Sequence, residues 1–339
     1  MDKPKVVLLN DTDVNGHHFG CAKVMTNIRT QLARRGITPE GSVKVSLDWR
    51  EQNETLVETA DLLIINGEGT LHHGSRRGRW LLEAAQAVKE AGGKVALINA
   101  LWQDNPADWT ALVQDADILS CRDSRSMAAL SLATGRKDVR FIGDLSMSEP
   151  LPTATVPRDG IVFGDSVHAA ITARLAELCN TIPNAEIVPV TSSLKFISPH
   201  LKGLRKTART VYAGLKQRRY LSKNASARFL NNQDDYVTML NTKALCVTGR
   251  FHAVCLAIAT QTPFVAVNSN SWKIEALIED IGLSKDRCVG LGSLNLDLFD
   301  PSRWALSATE SANITARLDD WQLATQQLFD DMLASVKQS

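Results

Sequence analysis

Residues 244–281, ALCVTGRFHAVCLAIATQTPFVAVNSNSWKIEALIEDI, decide the fold. The first five form an apolar run short enough for a buried strand, Gly249 supplies a turn, and residues 253–260 make a helical span without a charge. Arg250 and His252 therefore fall where a strand ends and a helix starts. Unpaired backbone N–H groups and the positive end of the helix dipole make that a natural place for an anion, with Thr248 and Gly249 beside it. A second apolar strand follows at 263–268, and beyond Ser269 a Lys273 opens another helix. Two successive strand-to-helix junctions then present cations on one edge of a parallel sheet, where open α/β sheets bind ligands. The plainer alternative pairs Arg250 with a structural carboxylate and leaves His252 to cap its helix.

Outward from this stretch, strand and helix alternate. Strands are predicted at 5–10, 43–47, 61–66, 94–100, 117–121 and 139–142, with helices at 20–35, 77–91 and 124–133 whose ends are marked by Gly36, Gly92 and Gly135. Periodicity lapses at 149–157, where Pro150, Pro152 and Pro157 suit a linker. It resumes with a strand at 160–164, a helix at 169–180 and a strand at 186–190, and a long helix covers 307–336. This pattern predicts an α/β fold of two Rossmann-like domains with parallel sheets facing a cleft, similar to the GT-B arrangement. The expected division is 1–150 for an N-terminal, acceptor-side domain and 151–305 for a C-terminal, donor-side domain, with a helix at 306–339 packing back toward the first. Neither half carries GxGxxG or a P-loop, which argues against dinucleotide oxidoreduction and P-loop phosphoryl transfer.

A length of 339 residues suits two domains, and 44% apolar with 22% charged residues is ordinary for a soluble protein. No apolar run approaches the ~20 residues of a membrane span, and no signal peptide is visible, so a cytoplasmic location is expected. The six cysteines are dispersed without a CxxC pair, as expected of reduced core thiols rather than of a zinc site. The net charge of +1 conceals an asymmetry: residues 187–233 hold ten Lys and Arg and no Asp or Glu. Within them Leu201, Leu204, Ala208, Val211 and Leu215 recur at spacings of three and four, flanked by Lys202, Arg205, Lys206, Arg209 and Lys216. Such a basic amphipathic helix reads either as a membrane-surface element, over about 200–223, or as a helix packing its apolar face into the second domain. Nucleic acid is not an expected partner, since Tyr212 and Tyr220 are the only interleaved aromatics.

Three polar loops follow apolar strands in the first half and should line the cleft. The first, DTDVNGHHF, offers Asp13, Asn15, His17 and His18; the second, GEGTLHHGS, offers Gly67, Glu68, Gly69, Thr70 and His72; the third, RDSRS, offers Arg122, Asp123 and Ser124. Glu68, His17, His18 and Asp123 are candidate acid/base groups. The His17-His18 and His72-His73 pairs also raise a shared metal ion, but neighbouring histidines on one loop rarely ligate the same ion, and none is expected.

The run TGRFHAVCLAIATQTPFVAVNSNSWKIEALIEDIGL resembles the C-terminal signature of the polysaccharide pyruvyl transferase family, which carries an Arg-x-His after a strand and a Lys opening a later helix. Asn66-Gly67-Glu68-Gly69, Arg122-Asp123-Ser124 and Asp144 look like the family's glycine run, its RD-S element and its later Asp, so the resemblance spans about residues 5–283. The first loop departs from it, with Asn15-Gly16-His17-His18-Phe19-Gly20 where members carry a Gly-Asp pair. The resemblance implies transfer of pyruvate from phosphoenolpyruvate onto two sugar hydroxyls, without a cofactor, in making a cell-surface polysaccharide. Arg250 would hold the donor carboxylate, His252 and Lys273 the phosphate, and Arg122 would orient the carboxylate. A carbohydrate acceptor is implied, lipid-linked if the basic helix meets a membrane, at the inner face of the cell membrane. A CMP-activated ulosonic acid such as Kdo or sialic acid would suit the same anion site in a GT-B glycosyltransferase of lipopolysaccharide or capsule assembly. A non-catalytic glycan-binding protein is the third reading.

Overall fold

The computed structural model describes residues 3–45, 47–154, 156–198 and 201–337. Residue 200, where the expected membrane segment begins, and Thr155 of the expected linker lie outside the described residues, as do the outermost residues of the two expected terminal domains. The chain divides into two units: one comprises Met1–Asp13, Val24–Glu149 and Arg317–Ser339, the other Val14–Lys23 and Pro150–Ala316.

In the first unit the alternation runs β1 (Val6–Asp11), α1 (Phe19–Arg34, counted here from Val24 on), β2 (Gly41–Lys44), α2 (Trp49–Gln52), α3 (Glu54–Glu58), β3 (Leu62–Asn66), α4 (Arg76–Glu90), β4 (Lys94–Ala100), α5 (Trp109–Val113), β5 (Ile118–Cys121), α6 (Ser124–Thr134) and β6 (Arg140–Phe141). The strands form one parallel sheet in the order β2-β1-β3-β4-β5-β6. Side chains alternate along β1, so Val7 and Leu9 join one apolar cluster while Val6 and Leu8 join another on the opposite face. Burial on both faces is why these strands read as continuous apolar runs.

The second unit restarts with β7 (Ile161–Ser166), α7 (Ala169–Cys179), β8 (Ala185–Ile187), α8 (Gly203–Lys223), α9 (Gln233–Thr242), β9 (Leu245–Gly249), α10 (Phe251–Ala259), β10 (Phe264–Val267), α11 (Lys273–Ile281) and β11 (Cys288–Val289). Its parallel sheet has the order β11-β10-β9-β7-β8. Every residue of α10 is buried, as a helix apolar on all sides must be. A last helix, α12 (Ala308–Lys337), begins among residues counted with the second unit and continues from Arg317 with the first.

One boundary changes the chemistry. Helix α10 starts at Phe251, two residues before the predicted start, because Arg250 itself is the N-cap, in extended conformation at φ −103° and ψ 123°. His252 is thus inside the first helical turn and is not a cap.

Candidate active site

The deciding stretch builds one wall of a cavity in the second unit. Strands β7 and β9 run side by side, and their C-terminal ends meet where Ser166 stands opposite Gly249. A Cβ on Gly249 would lie 2.7 Å from the Ser166 side chain, so only glycine lets the two strand ends come this close. Thr248 is buried; its Oγ1 accepts the Arg250 N–H at 3.1 Å and donates to the Asp165 carbonyl at 3.4 Å. The Arg250 side chain is a quarter exposed, and its Nε and Nη2 donate to Asp165 Oδ2 at 2.8 and 2.5 Å. Its Nη1 has no hydrogen-bond partner among the described residues. The carboxylate of the plainer reading is therefore real, yet it holds one edge of the guanidinium while the residue still lines a cavity of about 740 Å³.

The opposite wall comes from the histidine loop, which counts with this unit. His18 forms an antiparallel bridge with Thr191, Phe19 N–H donates to the Val190 carbonyl at 3.0 Å, and Ser192 N–H donates to the His17 carbonyl at 2.8 Å. This short pairing turns His17 and His18 into the cavity. His17 Nδ1 lies 3.3 Å from Ser193 Oγ, and its ring is 5.3 Å from that of Phe196. Burial, then the charge of Arg250, hold the His17 pKa below its ordinary value, against a smaller opposing pull from Asp165. Burial, followed by His252 and Arg250, holds His18 well below its own. Both imidazoles are accordingly neutral at pH 7. Tyr220 of α8 closes another side, its phenol pushed up to about 12 by burial and then by Asp165.

His252 does not reach this cavity. It is buried against Gly20, where an added Cβ would come within 2.1 Å of the His252 Cβ, and its ring stands edge-on to His18 at 5.3 Å. The expected direct contact of His252 with a donor phosphate is thus replaced by a position behind His18. The ligating atoms of His18, Cys21 and His252 all lie within 4.8 Å of one another, a grouping the sequence reading did not foresee. Such an N, N, S set suits a zinc-like ion with one position open, although the nearby Arg250 charge opposes a second cation.

The remaining predicted residues fall elsewhere. Lys273, half-buried in the first turn of α11, donates to Asn270 Oδ1 at 3.0 Å, and Ser269 donates to the same oxygen at 3.2 Å; neither lines the cavity. In the first unit, Glu68 is buried, its carboxylate accepting from Thr12 Oγ1 at 2.9 Å and from Asn66 Nδ2 at 3.3 Å. Gly67 packs against Ala100, where a Cβ would come within 2.7 Å, and Gly69 takes a φ of +72°. Thr70 is buried, while His72 bridges to Gln103 and its ring meets that of His73. Asp13 lies 4.0 Å from Arg29, and Asn15 is a turn residue at φ 53°.

The RDSRS loop corrects a further expectation. Asp123 is the N-cap of α6: its carboxylate accepts from Ser126 N–H at 2.7 Å and Ser126 Oγ at 2.8 Å, in front of Ser124. Arg122 is buried and pairs with Asp144 at 3.4 Å, and Asp144 in turn caps a short 3₁₀ turn by accepting from Ser146 N–H. A carboxylate at a helix start satisfies orphan N–H groups of its own chain as readily as it meets a ligand.

Sequence reasoning gave Asp165 and Lys195 no role and read Arg209 and Lys216 only as flanks of an amphipathic helix; all four line the cavity together with Arg250. The signal available was Asp165 itself, an acid next to the end of the apolar strand IVFGDS. The basic segment carries a second correction. The alternative that α8 packs its apolar face inward fails, because Leu204, Val211 and Leu215 are 89%, 56% and 60% exposed.

Solved structures match the chain at low identity. Sucrose-phosphate synthase from Thermosynechococcus elongatus is similar over 98% of this chain and 100% of its own, at 14% identity and a TM-score of 0.57. A glycosyltransferase from Rickettsia africae covers 98% and 99%, at 11% identity and 0.52. UDP-GlcNAc 2-epimerase from Methanocaldococcus jannaschii covers 90% and 94%, at 10% identity and 0.52. At such identities the likeness speaks for the fold, which is of the GT-B type. No curated protein matches the chain. The family model for polysaccharide pyruvyl transferases matches residues 18–271, a span that starts at His18 of the cavity and runs past Arg250 and His252. The chain belongs to the polysaccharide pyruvyl transferase family.

Proposed function

We propose that the protein transfers pyruvate from phosphoenolpyruvate onto two hydroxyls of a carbohydrate as a ketal, with the donor held in the cavity of the second unit. The observation that carries this reading is the charge of that cavity: Arg250, Lys195, Arg209 and Lys216 line it against the single carboxylate of Asp165. A donor with a carboxylate and a phosphate on one carbon needs two separated cationic groups. Arg250 Nη1, on a guanidinium already oriented by Asp165, takes the carboxylate by a charge-assisted bond, and Arg209 with Lys216 takes the phosphate. Their charge gains importance as the phosphate leaves, since negative charge grows on the departing oxygen.

Of the two hydroxyl protons released as the ketal forms, one ends on the former methylene carbon, which becomes the methyl group, and the other on the phosphate. His17 suits the transfer: it is neutral, half-buried and steadied at Nδ1 by Ser193, which leaves Nε2 for the substrate. His252, behind His18, sets the position of that ring rather than touching substrate.

One observation favours a second reading. A cavity of about 740 Å³ with Tyr220 and Phe196 in its lining is far larger than phosphoenolpyruvate fills, and would accommodate a CMP-activated ulosonic acid. Thermal shift separates the two. Stabilisation by phosphoenolpyruvate and not by cytidine monophosphate supports pyruvyl transfer, the reverse supports ulosonic acid transfer, and indifference to both supports a glycan-binding role on the same scaffold.

A further inference from the structure

Helix α8 is attached to its unit along a narrow seam. Ala213 is its one buried residue, and Gln217, Tyr220 and Leu221 are half-buried, whereas every residue from Gly203 to Tyr212 is exposed. At about 100° per residue, Leu204, Ala208, Val211 and Leu215 fall within a stripe roughly 60° wide, centred about 170° away from Ala213. The apolar face therefore points directly away from the protein that carries it. Three aliphatic side chains exposed by more than half in one row are uncommon on a soluble surface and mark an interaction site. Beside the stripe, Arg205, Arg219 and Lys223 line one flank and Arg218 the other, and the helix has no acidic residue.

We propose that α8 docks the protein on an anionic lipid surface, with Leu204, Val211 and Leu215 in the headgroup–acyl boundary and the flanking cations on the headgroups. Charge complementarity selects this occupant. A nucleic acid would use the cations and leave the aliphatic stripe in water, while a purely apolar groove would not call for cations beside it. No helix among the described residues is long and apolar enough to cross a membrane, so the contact is peripheral. Arg209 and Lys216 turn from the same helix into the donor cavity, so docking sets the cavity at the bilayer surface, within reach of a lipid-linked acceptor.

The test is co-sedimentation of the full chain with vesicles of phosphatidylcholine alone and of phosphatidylcholine with phosphatidylglycerol. Binding is expected to the anionic vesicles only and to fall with salt. Replacing Leu204, Val211 and Leu215 together by serine should abolish it. Neutralising Arg205, Arg218, Arg219 and Lys223 should weaken it by about fivefold per cation. All seven side chains are exposed and outside the cavity, so circular dichroism and donor binding should not change. Undiminished sedimentation of the serine variant overturns the proposal. So does wild-type binding to RNA but not to vesicles, or a wild-type dimer that the serine variant splits without any vesicle binding. None of these results bears on the donor reading, whose residues are untouched.

Discussion

Replacing Arg250 by lysine keeps the positive charge and removes the planar fork, which separates recognition from mere charge. In the native side chain Nε and Nη2 hold Asp165 while Nη1 stays open to the cavity. A lysine ammonium is a point charge on a flexible stem and cannot hold Asp165 and a donor carboxylate in the same fixed geometry. The loss is one charge-assisted hydrogen bond, about 1.5–3 kcal/mol. Because the side chain is a quarter exposed and partly screened, the lower end applies, and about 1.4 kcal/mol corresponds to a tenfold weaker Kd. Alanine would be a poorer probe: it leaves the Asp165 carboxylate, with a side chain 13% exposed, without its cation, and so mixes folding with binding. Titration calorimetry with phosphoenolpyruvate, alongside thermal unfolding without ligand, reads both quantities. Arg250→Lys is expected to raise Kd about tenfold while Tm moves by no more than ~2 °C, since a Lys–Asp pair can still form. Unchanged donor affinity together with a clear fall in Tm would refute the argument and leave the guanidinium as a strut between β7 and β9.

Two further perturbations test the assignments around it. Asp123→Ala should cost about 1–2 kcal/mol of stability by uncapping α6, visible as a lower Tm, with donor affinity untouched; lost turnover at full stability would return Asp123 to catalysis. His17 and His18 have pKa values below 6.5 in the folded protein, so beneath that pH the unfolded chain binds more protons. Their contribution to stability is therefore present above pH 6.5 and lost as pH falls through the lowered folded values. The Tm of the unliganded protein should drop between pH 7 and pH 5 more steeply than that of His18→Gln, and equal slopes would count against a neutral, half-buried imidazole.

The strands and helices were legible because both sheets are buried on two faces and several helices stop at glycine, as at Gly135 and Gly282 in left-handed conformation. The place of Arg250 directly after a buried strand was legible for the same reason, whereas the Asp165 carboxylate that holds its guanidinium was not. What sequence could not settle was direction. Asp123 and Asp144 sit at strand ends as expected, but each turns back to cap its own backbone. Glu68, flanked by glycines, is drawn into a buried amide network with Asn66. Arg209 and Lys216 carry the same charge as their exposed neighbours, and only the rotation of α8 distinguishes the cations facing the cavity from those facing solvent. His252 was displaced by two residues of helix boundary, an error small in sequence and decisive for which atoms it touches.

Residues 14–23 stand far from 150–316 in the chain yet count with the same unit, and they bring His17 and His18 to its cavity. The second unit is thus not a contiguous cassette. Recombination that exchanged everything after the Pro-rich stretch would graft a new Arg250 onto an old histidine loop, and the two would have to suit each other at Thr191 and Gly20 before any anion could be held. What the cavity accepts in such a lineage should drift through paired substitutions in both segments rather than by wholesale swapping of halves.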